Sequence, residues 1–224
     1  MQPHTHDIED APPAPADGLA IIASQQERVR TGAAVDSRLL FLVWGAAWLI
    51  GYGALWLAVK DLDVYRPPSG AFIVFGLCIS SAVVFTIVHS VRRAAGMRGP
   101  SVTAGAMYGW AWGLGFLLQA ALIGAFVNAG ASHELVALAS NGLACLIVGL
   151  LYMAGGAMDQ EPALFWLGVW ILVVAAVASS VGLHLTFLVM ALAGGGGFLV
   201  GAGIEHARRR ARRGPAFGSA ARTA

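Results

Sequence analysis

The sequence predicts an all-α, polytopic membrane protein that forms a bundle of six transmembrane helices. Of its 224 residues, 58% are hydrophobic and only 12% are charged, about half the charged fraction of an ordinary soluble domain. The mean hydropathy is correspondingly high, at +0.71. The charges are also segregated along the chain. Five segments contain no Asp, Glu, Lys or Arg, namely 39–59, 71–91, 99–133, 135–158 and 162–204.

The lengths of these segments predict the number of spans. A helix needs about 20 apolar residues to cross the hydrocarbon core, so each of the first four segments holds one span. The last segment is long enough for two spans, with a tight turn at 179–184. Because short connections make sequence neighbours pack antiparallel, we expect three antiparallel hairpins. The predicted spans are Leu39–Val59, Ala71–Val91, Gly105–Val127, Leu135–Met158, Ala163–Ser179 and Leu183–Ile204.

The distribution of Lys and Arg predicts the orientation of the bundle. With the N-terminus inside, twelve of the 14 Lys and Arg residues lie on the cytoplasmic side, and only Lys60 and Arg66 lie outside. Residues 1–38 have no apolar segment near their start, so we expect no cleavable signal peptide. The predicted location is the bacterial cytoplasmic membrane, with both termini in the cytoplasm.

The chain divides into four regions by composition. Residues 1–17 are acidic and rich in Pro and Ala, which is typical of a disordered tail. Residues 18–31 have an apolar face and predict a short amphipathic helix on the inner membrane surface, or alternatively a helix that docks on a partner. The transmembrane domain covers 39–204, and 205–224 forms a basic cytoplasmic tail.

Five arginines follow the last predicted span within six residues. Such a cluster attracts the anionic lipids of the inner leaflet, so we interpret it as a contact with anionic lipid that also anchors the topology. Nucleic-acid binding is the other interpretation of a basic run, but no nucleic-acid-binding module accompanies it. We therefore expect no nucleic-acid partner. The five residues are Arg208, Arg209, Arg210, Arg212 and Arg213.

The stretch GAMYGWAWGLGF, residues 105–116, places Gly105, Gly109 and Gly113 four residues apart. On a helix this spacing makes a bare stripe along one side. Membrane helices associate by close packing of their backbones, and small residues permit that approach. The stripe therefore predicts a helix-packing face, at which Gly109→Leu would hold the neighbouring helix away.

A run of glycines lies in the middle of the sixth predicted span, in the stretch AGGGGFLVGAG. It has two open interpretations. One is a close crossing point with another helix, and the other is a locally unwound or hinging helix, as in the discontinuous helices of transporters. The glycines concerned are Gly194, Gly195, Gly196, Gly197 and Gly201.

Gln119 and Asn141 are strongly polar side chains well inside the predicted spans, about 12 Å and 9 Å from the outer ends. An amide left unpaired in hydrocarbon costs several kcal/mol. We therefore expect each amide to face the bundle and to bond to the other, to a backbone carbonyl or to water. They act either as contacts between helices or, with Trp112 and His184, as the lining of a solute pocket.

Aromatic residues recur every fourth position in the first span. Trp48 and Tyr52 lie too deep for an interfacial aromatic belt. Their open interpretations are packing in the core, or lining a cavity for an apolar or cationic ligand. The recurring residues are Trp44, Trp48, Tyr52 and Trp56.

The sequence excludes several classes of function. No carboxylate or amine lies within a predicted span, which argues against a proton- or sodium-coupled carrier. The stretch SHELVAL starts like a zinc-protease motif, but Ala137 stands where the second histidine is required. We find no other catalytic, metal or cofactor motif. We therefore expect no enzyme, no cofactor and no catalytic or metal-binding residue.

Four stretches, WGAAWLIGYGALWL, GPSVTAGAMYGWAWGLGF, VGLLYMAGGAM and LGVWILVVAA, resemble an uncharacterised family of small six-span actinobacterial integral membrane proteins. Members are often labelled only "membrane protein" or "transporter". The resemblance covers about residues 19–204. It implies an integral membrane protein and assigns no site residue.

Two function hypotheses remain open. The first is a transport-associated component for a small apolar or neutral solute, acting as a permease-like protein or as the partner of an energised subunit. The second is a non-transporting membrane sensor or scaffold that binds partner proteins. The expected partners are the lipid bilayer with its anionic inner leaflet, and a protein partner or further copies of the chain.

Overall fold

A computed structural model describes residues 18–21, 24, 36–59, 68–95 and 100–213. Within these ranges every regular element is helical and no strand occurs. Between α6 and α7 lies a wider π-helical turn, Met190–Gly195, here called the π turn. The other elements are α1 (Ser37–Val59), α2 (Ser69–Ala94), α3 (Pro100–Asn128), α4 (His133–Met158), α5 (Pro162–Ser180), α6 (Leu183–Val189) and α7 (Gly196–Arg213).

The described residues contain six helices long and apolar enough to cross a membrane. Five of them are α1 to α5. The sixth span is the continuous run of α6, the π turn and α7. Its residues from Leu183 to Ala211 are apolar enough to cross a membrane. The predicted all-α class and the number of six spans are therefore confirmed, and the chain has the architecture of a multi-pass membrane protein.

Local sequence signals explain where several helices begin. Proline fits the first turn of a helix, where its missing N–H is not needed, and α3 and α5 begin at Pro100 and Pro162. The Ser132 hydroxyl accepts a hydrogen bond from the backbone N–H of Leu135 and caps α4. Gly182 has φ +80°, a conformation that favours glycine, and it forms the turn expected between the last two spans.

Helix α1 lies at the centre of the bundle, in contact with α2, α6, the π turn and α7. Helix α4 packs between α3 and α5, and α5 also contacts the sixth span. Contacts between α1 and α2 run from Trp44 with Thr86 to Tyr52 with Phe75. Because the numbering rises along one helix as it falls along the other, the two helices run in opposite directions.

The buried core lies between α1, α4, α5 and the sixth span. Helix α2 adds only Ala71 to this core, and α3 lies outside it, since no residue from 102 to 128 is buried. Leu77 on α2 and Trp110 on α3 are 63% and 70% exposed. In a membrane such apolar side chains face lipid, whereas in water they would form a large exposed apolar patch. The outer surface of the bundle therefore contacts the bilayer.

Most of the predicted amphipathic helix at 18–31 lies outside the described residues. Residues 18–21 are helical, and Leu19 and Ile21 are exposed. The predicted disordered tail, 1–17, also lies outside the described residues, as does the end of the basic tail, 214–224.

Candidate functional site

A buried hydrogen bond joins α1 to α4 in the interior of the bundle. The Tyr52 hydroxyl donates to Oδ1 of Asn141 at 2.7 Å, and the two residues are only 6% and 8% exposed. Tyr52 lies on the buried face of α1, four residues after Trp48 and three before Leu55, as the helical period requires. Since neither polar group can be buried unpaired without cost, the bond satisfies one group on each helix.

Aromatic rings surround Tyr52. Its ring centroid lies 5.5 Å from Trp48 and 4.9 Å from Phe75 of α2, with both pairs edge to face. Phe187 of α6 lies 6.4 Å away, and Phe198 of α7 packs edge-on against Trp48 at 5.3 Å. Edge-to-face contacts between buried rings are favourable. The polar pair is therefore enclosed by apolar walls from four elements, and Trp48 and Tyr52 pack in the core.

Two buried amide atoms have no hydrogen-bond partner within the described part of the chain. They are Nδ2 of Asn141 and Oε1 of Gln119, one a donor and the other an acceptor. The opposite end of Gln119 is satisfied, because its Nε2 donates to the carbonyl of Ser140 at 2.8 Å. Each amide thus makes one hydrogen bond, Asn141 with Tyr52 and Gln119 with the carbonyl of Ser140. One donor, Nδ2 of Asn141, and one acceptor, Oε1 of Gln119, have no partner in the described part of the chain.

The four residues of the predicted pocket do not form one cluster in the structure. Gln119 bonds to the carbonyl of Ser140, the residue before Asn141 on α4, but the two amides do not bond to each other. Trp112 lies two turns before Gln119 on the same face of α3, half-buried against Tyr152 of α4 at 5.8 Å. His184 does not join them.

His184 is exposed at the start of α6. Leu183, Thr186 and Phe187 form the buried face of that short helix instead. The Thr186 hydroxyl is fully buried and lies 2.8 Å from the carbonyl of Ala178 on α5. The rotation of α6, and with it the exposure of His184, depends on this contact with α5, which the sequence does not report.

The glycine stripe of α3 faces outward. A Cβ added at Gly105, Gly109 or Gly113 would meet no atom within 4 Å. The expected packing of this stripe against another helix therefore does not occur within the described chain.

The polar side chains of α3 explain its rotation. The Tyr108 hydroxyl donates to the carbonyl of Leu151 at 2.6 Å, and Gln119 donates to the carbonyl of Ser140. Both acceptors belong to α4. In a bilayer core these groups have no water as an alternative partner, so the face that carries them turns toward α4 and the glycine face turns away.

The glycines of the sixth span form a close crossing with α1. A methyl group at Gly195 would lie 2.9 Å from the backbone nitrogen of Leu49 and 3.1 Å from the carbonyl oxygen of Gly45. A methyl group at Gly194 would lie 2.7 Å from the ring of Trp48. The first of the two interpretations of this run, a crossing point, is supported at both positions.

The remaining glycines of the run differ in their surroundings. A methyl group at Gly197 would overlap the indole of Trp170, and one at Gly201 would lie 3.3 Å from the ring of Phe41. At Gly196 no atom lies within 4 Å. The sixth span is therefore closely packed at Gly197 and Gly201, whereas Gly196 lies on an open side of the helix.

The helix also departs from α geometry at the same place, and the hinge interpretation stays open. The π turn ends at Gly195, and the indole N–H of Trp170 donates to the carbonyl of Ala193 within it at 2.9 Å. Single π turns inside helices are rare and occur frequently at functional sites. This one lies beside Trp48, which in turn contacts Tyr52.

A charged cluster lies where α1 begins. The Asp36 carboxylate accepts hydrogen bonds from the backbone N–H and the guanidinium of Arg38, at 3.2 Å and 3.0 Å. Arg209 of α7 lies 3.5 Å from the same carboxylate. The hydrogen bond from Arg38 holds the pKa of Asp36 below its ordinary value, against the opposing effect of burial. This cluster ties the start of the first span to the end of the last.

The cluster changes the interpretation of the basic tail. Arg209 pairs with Glu205 at 3.0 Å as well as with Asp36, so its guanidinium is occupied inside the protein rather than free for lipid. Arg208 and Arg210 are exposed. The side chains of the other two predicted lipid contacts, Arg212 and Arg213, lie outside the described residues.

The Tyr52–Asn141 pair is linked to the π turn through Trp48, and Gln119 bonds to the residue before Asn141. Together they provide a hydrogen-bond donor, a hydrogen-bond acceptor and aromatic walls, without a charged side chain. Such a set of groups can recognise an uncharged polar molecule by hydrogen bonding. No protein-family model, curated protein or solved structure matches this chain.

Proposed function

We propose that the protein is a transport-associated component that handles a small uncharged polar molecule inside its helix bundle, as a permease-like protein or as the partner of an energised subunit. The supporting observation is the pair of unmet amide atoms, Nδ2 of Asn141 and Oε1 of Gln119. A solute with one acceptor and one donor would satisfy both. Small alcohols, amides and ureas belong to this class.

The composition of the spans favours an uncharged solute. The five charge-free segments contain both amides and Tyr52. A charged solute in the hydrocarbon region would require a countercharge, whereas an uncharged one requires only hydrogen bonds. The rings of Trp48 and Phe187 would contact the apolar part of the solute.

The sixth span is the element that would move in this proposal. Transport sites are often formed by discontinuous helices, and the π turn interrupts the sixth span beside Trp48. Gly196 lies at the end of that turn with open space around it. In this proposal a change in the π turn alters the wall of the site and leaves α4 in place. Helix α4 carries Asn141 and provides the carbonyl that holds Gln119.

The proposal assigns no catalytic residue, metal or cofactor to the chain. It places the protein in the bacterial cytoplasmic membrane with both ends in the cytoplasm. Reporter fusions at residues 10 and 215 should both report the cytoplasm, and a fusion at Ala131 should report the outside. Ends on opposite sides of the membrane would contradict this arrangement.

A permeability assay tests the proposed function. The purified chain is reconstituted into liposomes, and the re-swelling of the vesicles is followed after mixing with glycerol, urea or acetamide. We expect at least one solute to enter faster than it enters protein-free vesicles. Asn141→Leu should abolish this faster entry. The control Leu118→Ile, which changes an exposed residue of α3, should retain it. Equal entry with the wild-type chain and with Asn141→Leu would overturn the proposal.

A second candidate function is a non-transporting sensor or scaffold. The supporting observation is the outward glycine stripe of α3, which offers a bare face to another membrane helix. A photoreactive residue at position 109, compared with one at position 118, tests this candidate in native membranes. A protein adduct at position 109 alone would favour a scaffold, and the absence of such an adduct would remove its support.

A further inference from the structure

A shallow groove of about 580 Å³ lies along the outer face of α2, away from the Tyr52–Asn141 pair. The described residues that line it all belong to α2 and recur at intervals of three, four and seven positions, as on one face of a helix. They include Leu77, Val84, Val88, His89 and Arg92. Nothing in the proposed function uses this groove.

The chemistry of the groove changes along its length. Leu77, Val84 and Val88 are apolar and are 63%, 59% and 41% exposed. His89 and Arg92 follow at the end nearest the charged cluster of Asp36. Apart from the hydroxyls of Ser80 and Ser81, the groove is therefore apolar over most of its length, and Arg92 makes one end cationic.

The length of the groove matches one leaflet of a bilayer. From Leu77 to Arg92 the helix rises about 22 Å, at roughly 1.5 Å per residue. Half of a bilayer, including its headgroup region, is about 20–22 Å thick. When Leu77 lies near the midplane, Arg92 thus lies at the depth of the lipid phosphates.

We propose that this groove binds one anionic phospholipid, with its phosphate at Arg92 and an acyl chain along Leu77, Val84 and Val88. The lipid belongs to the leaflet beside the charged cluster, which is the cytoplasmic leaflet in the predicted orientation. This site is separate from the arginines of the basic tail and does not depend on the proposed function.

His89 lies at the same end of the groove as Arg92. Its ring stacks on Phe85, with centroids 5.6 Å apart and planes 9° apart. Its Nε2 lies 3.4 Å from the backbone N–H of Asp36, which donates to it. Because these contacts hold His89 at the edge of the groove, Arg92 is the side chain placed to meet a phosphate.

The N-terminal segment is a competing occupant, since the chain enters α1 at Asp36, beside His89. Residues 18–31 are long enough to lie along the groove, but they include Glu27, Arg28 and Arg30. Placed against the apolar part of α2, these side chains would enter the hydrocarbon region, where charges are strongly disfavoured. A phospholipid has its charge only at the end where Arg92 lies.

A second copy of the chain is the other competing occupant. Two copies with the same orientation in one membrane would bring Arg92 of each to the same depth. Like charges facing each other are unfavourable, whereas an anionic headgroup neutralises Arg92. The charge distribution therefore favours lipid over a second copy.

A photoreactive residue at position 84 of the full-length chain tests the proposal. The protein is placed in nanodiscs that contain phosphatidylglycerol and phosphatidylcholine, and its adducts are identified by mass spectrometry. We expect phospholipid adducts enriched about fivefold in phosphatidylglycerol, the factor that one arginine contributes at an anionic surface. Arg92→Gln should abolish the enrichment, while the matched change Arg210→Gln on α7 should retain it.

Three outcomes would overturn the proposal. Equal adducts of the two phospholipids would show that the groove has no preference for anionic lipid. Adducts with a peptide from residues 1–35 would show that the chain covers its own groove, and adducts with a second copy would show a homo-oligomer. Size-exclusion profiles of both glutamine variants distinguish loss of lipid binding from loss of fold.

Discussion

The Tyr52 hydroxyl and Oδ1 of Asn141 lie 2.7 Å apart, and this bond connects α1 with α4 inside the bundle. The same amide leaves its Nδ2 without a partner in the described part of the chain. One end of Asn141 therefore stabilises the bundle, while the other end offers a donor. The structural role and the proposed binding role can be separated because they use different atoms of one side chain.

A double-mutant cycle measures the structural role. Tyr52→Phe and Asn141→Leu each remove one partner and leave the other unpaired, so each should lower the free energy of unfolding by about 1 kcal/mol. The double variant leaves no unpaired group and should lose less than the sum. We expect a coupling of about 0.6 kcal/mol, the average measured for such bonds in membranes, and no more than about 1.7 kcal/mol, the largest value measured. Strictly additive losses in lipid-based unfolding experiments would refute the coupling.

Adjacent glycines provide a matched test of the crossing between α1 and the sixth span. Gly195→Ala would press a methyl group against the backbone of Leu49 and Gly45, which should cost about 1–3 kcal/mol through overpacking. Gly196→Ala meets no atom within 4 Å and should have little effect. Thermal stability and the yield of folded protein report the difference. Similar losses for both variants would mean that the crossing does not constrain Gly195.

Gly109→Leu should be tolerated, contrary to the expectation from sequence. Its added side chain would point into open space beside α3, so the free energy of unfolding of the purified chain should change by less than about 0.5 kcal/mol. Gly168→Leu is the contrasting variant, because a methyl group there would already lie 2.9 Å from the backbone nitrogen of Met153. If Gly109→Leu also prevents folding, the stripe contacts a partner that the single chain lacks.

Asp36 should make stability depend on pH in the acid range. Its pKa is lowered in the folded protein, chiefly by the hydrogen bond from Arg38. The stabilisation is therefore present above the ordinary pKa of 3.8 and is lost as the pH falls through the lowered value.

Asp36→Asn isolates this effect, because asparagine caps a helix about as well as aspartate. The variant should show a weaker loss of stability below about pH 4 than the wild type. Unfolding measured at several pH values provides the comparison. An unchanged pH dependence would mean that the Asp36 carboxylate does not contribute through its charge.

The number of spans was predictable because it depends on local composition. Charge-free segments of the required length identify membrane helices almost independently of their neighbours. The turn around Gly182 was predictable for the same reason, since a short polar interruption and a glycine are local signals. These features need no knowledge of which helix packs against which.

The rotation of each helix could not be predicted in this way. The glycine stripe of α3 looked like a packing face, but Tyr108 and Gln119 turn α3 according to acceptors on α4. Likewise, the partner of Asn141 is Tyr52, 89 residues earlier, and the partner of Arg209 is Asp36. Such pairings depend on tertiary contacts that no periodicity in the sequence reports.

The most direct test of the central claim is a binding measurement on the full chain in nanodiscs. Its thermal unfolding is followed with uncharged alcohols, amides and ureas, and with carboxylates and amines of similar size. A ligand that binds only the folded state raises the unfolding temperature as its concentration increases. We predict such a rise for at least one uncharged solute, absent in Asn141→Leu and Gln119→Leu and retained in Leu118→Ile. The same rise in Asn141→Leu, or an equal rise with charged analogues, would contradict an uncharged-solute site at these two amides.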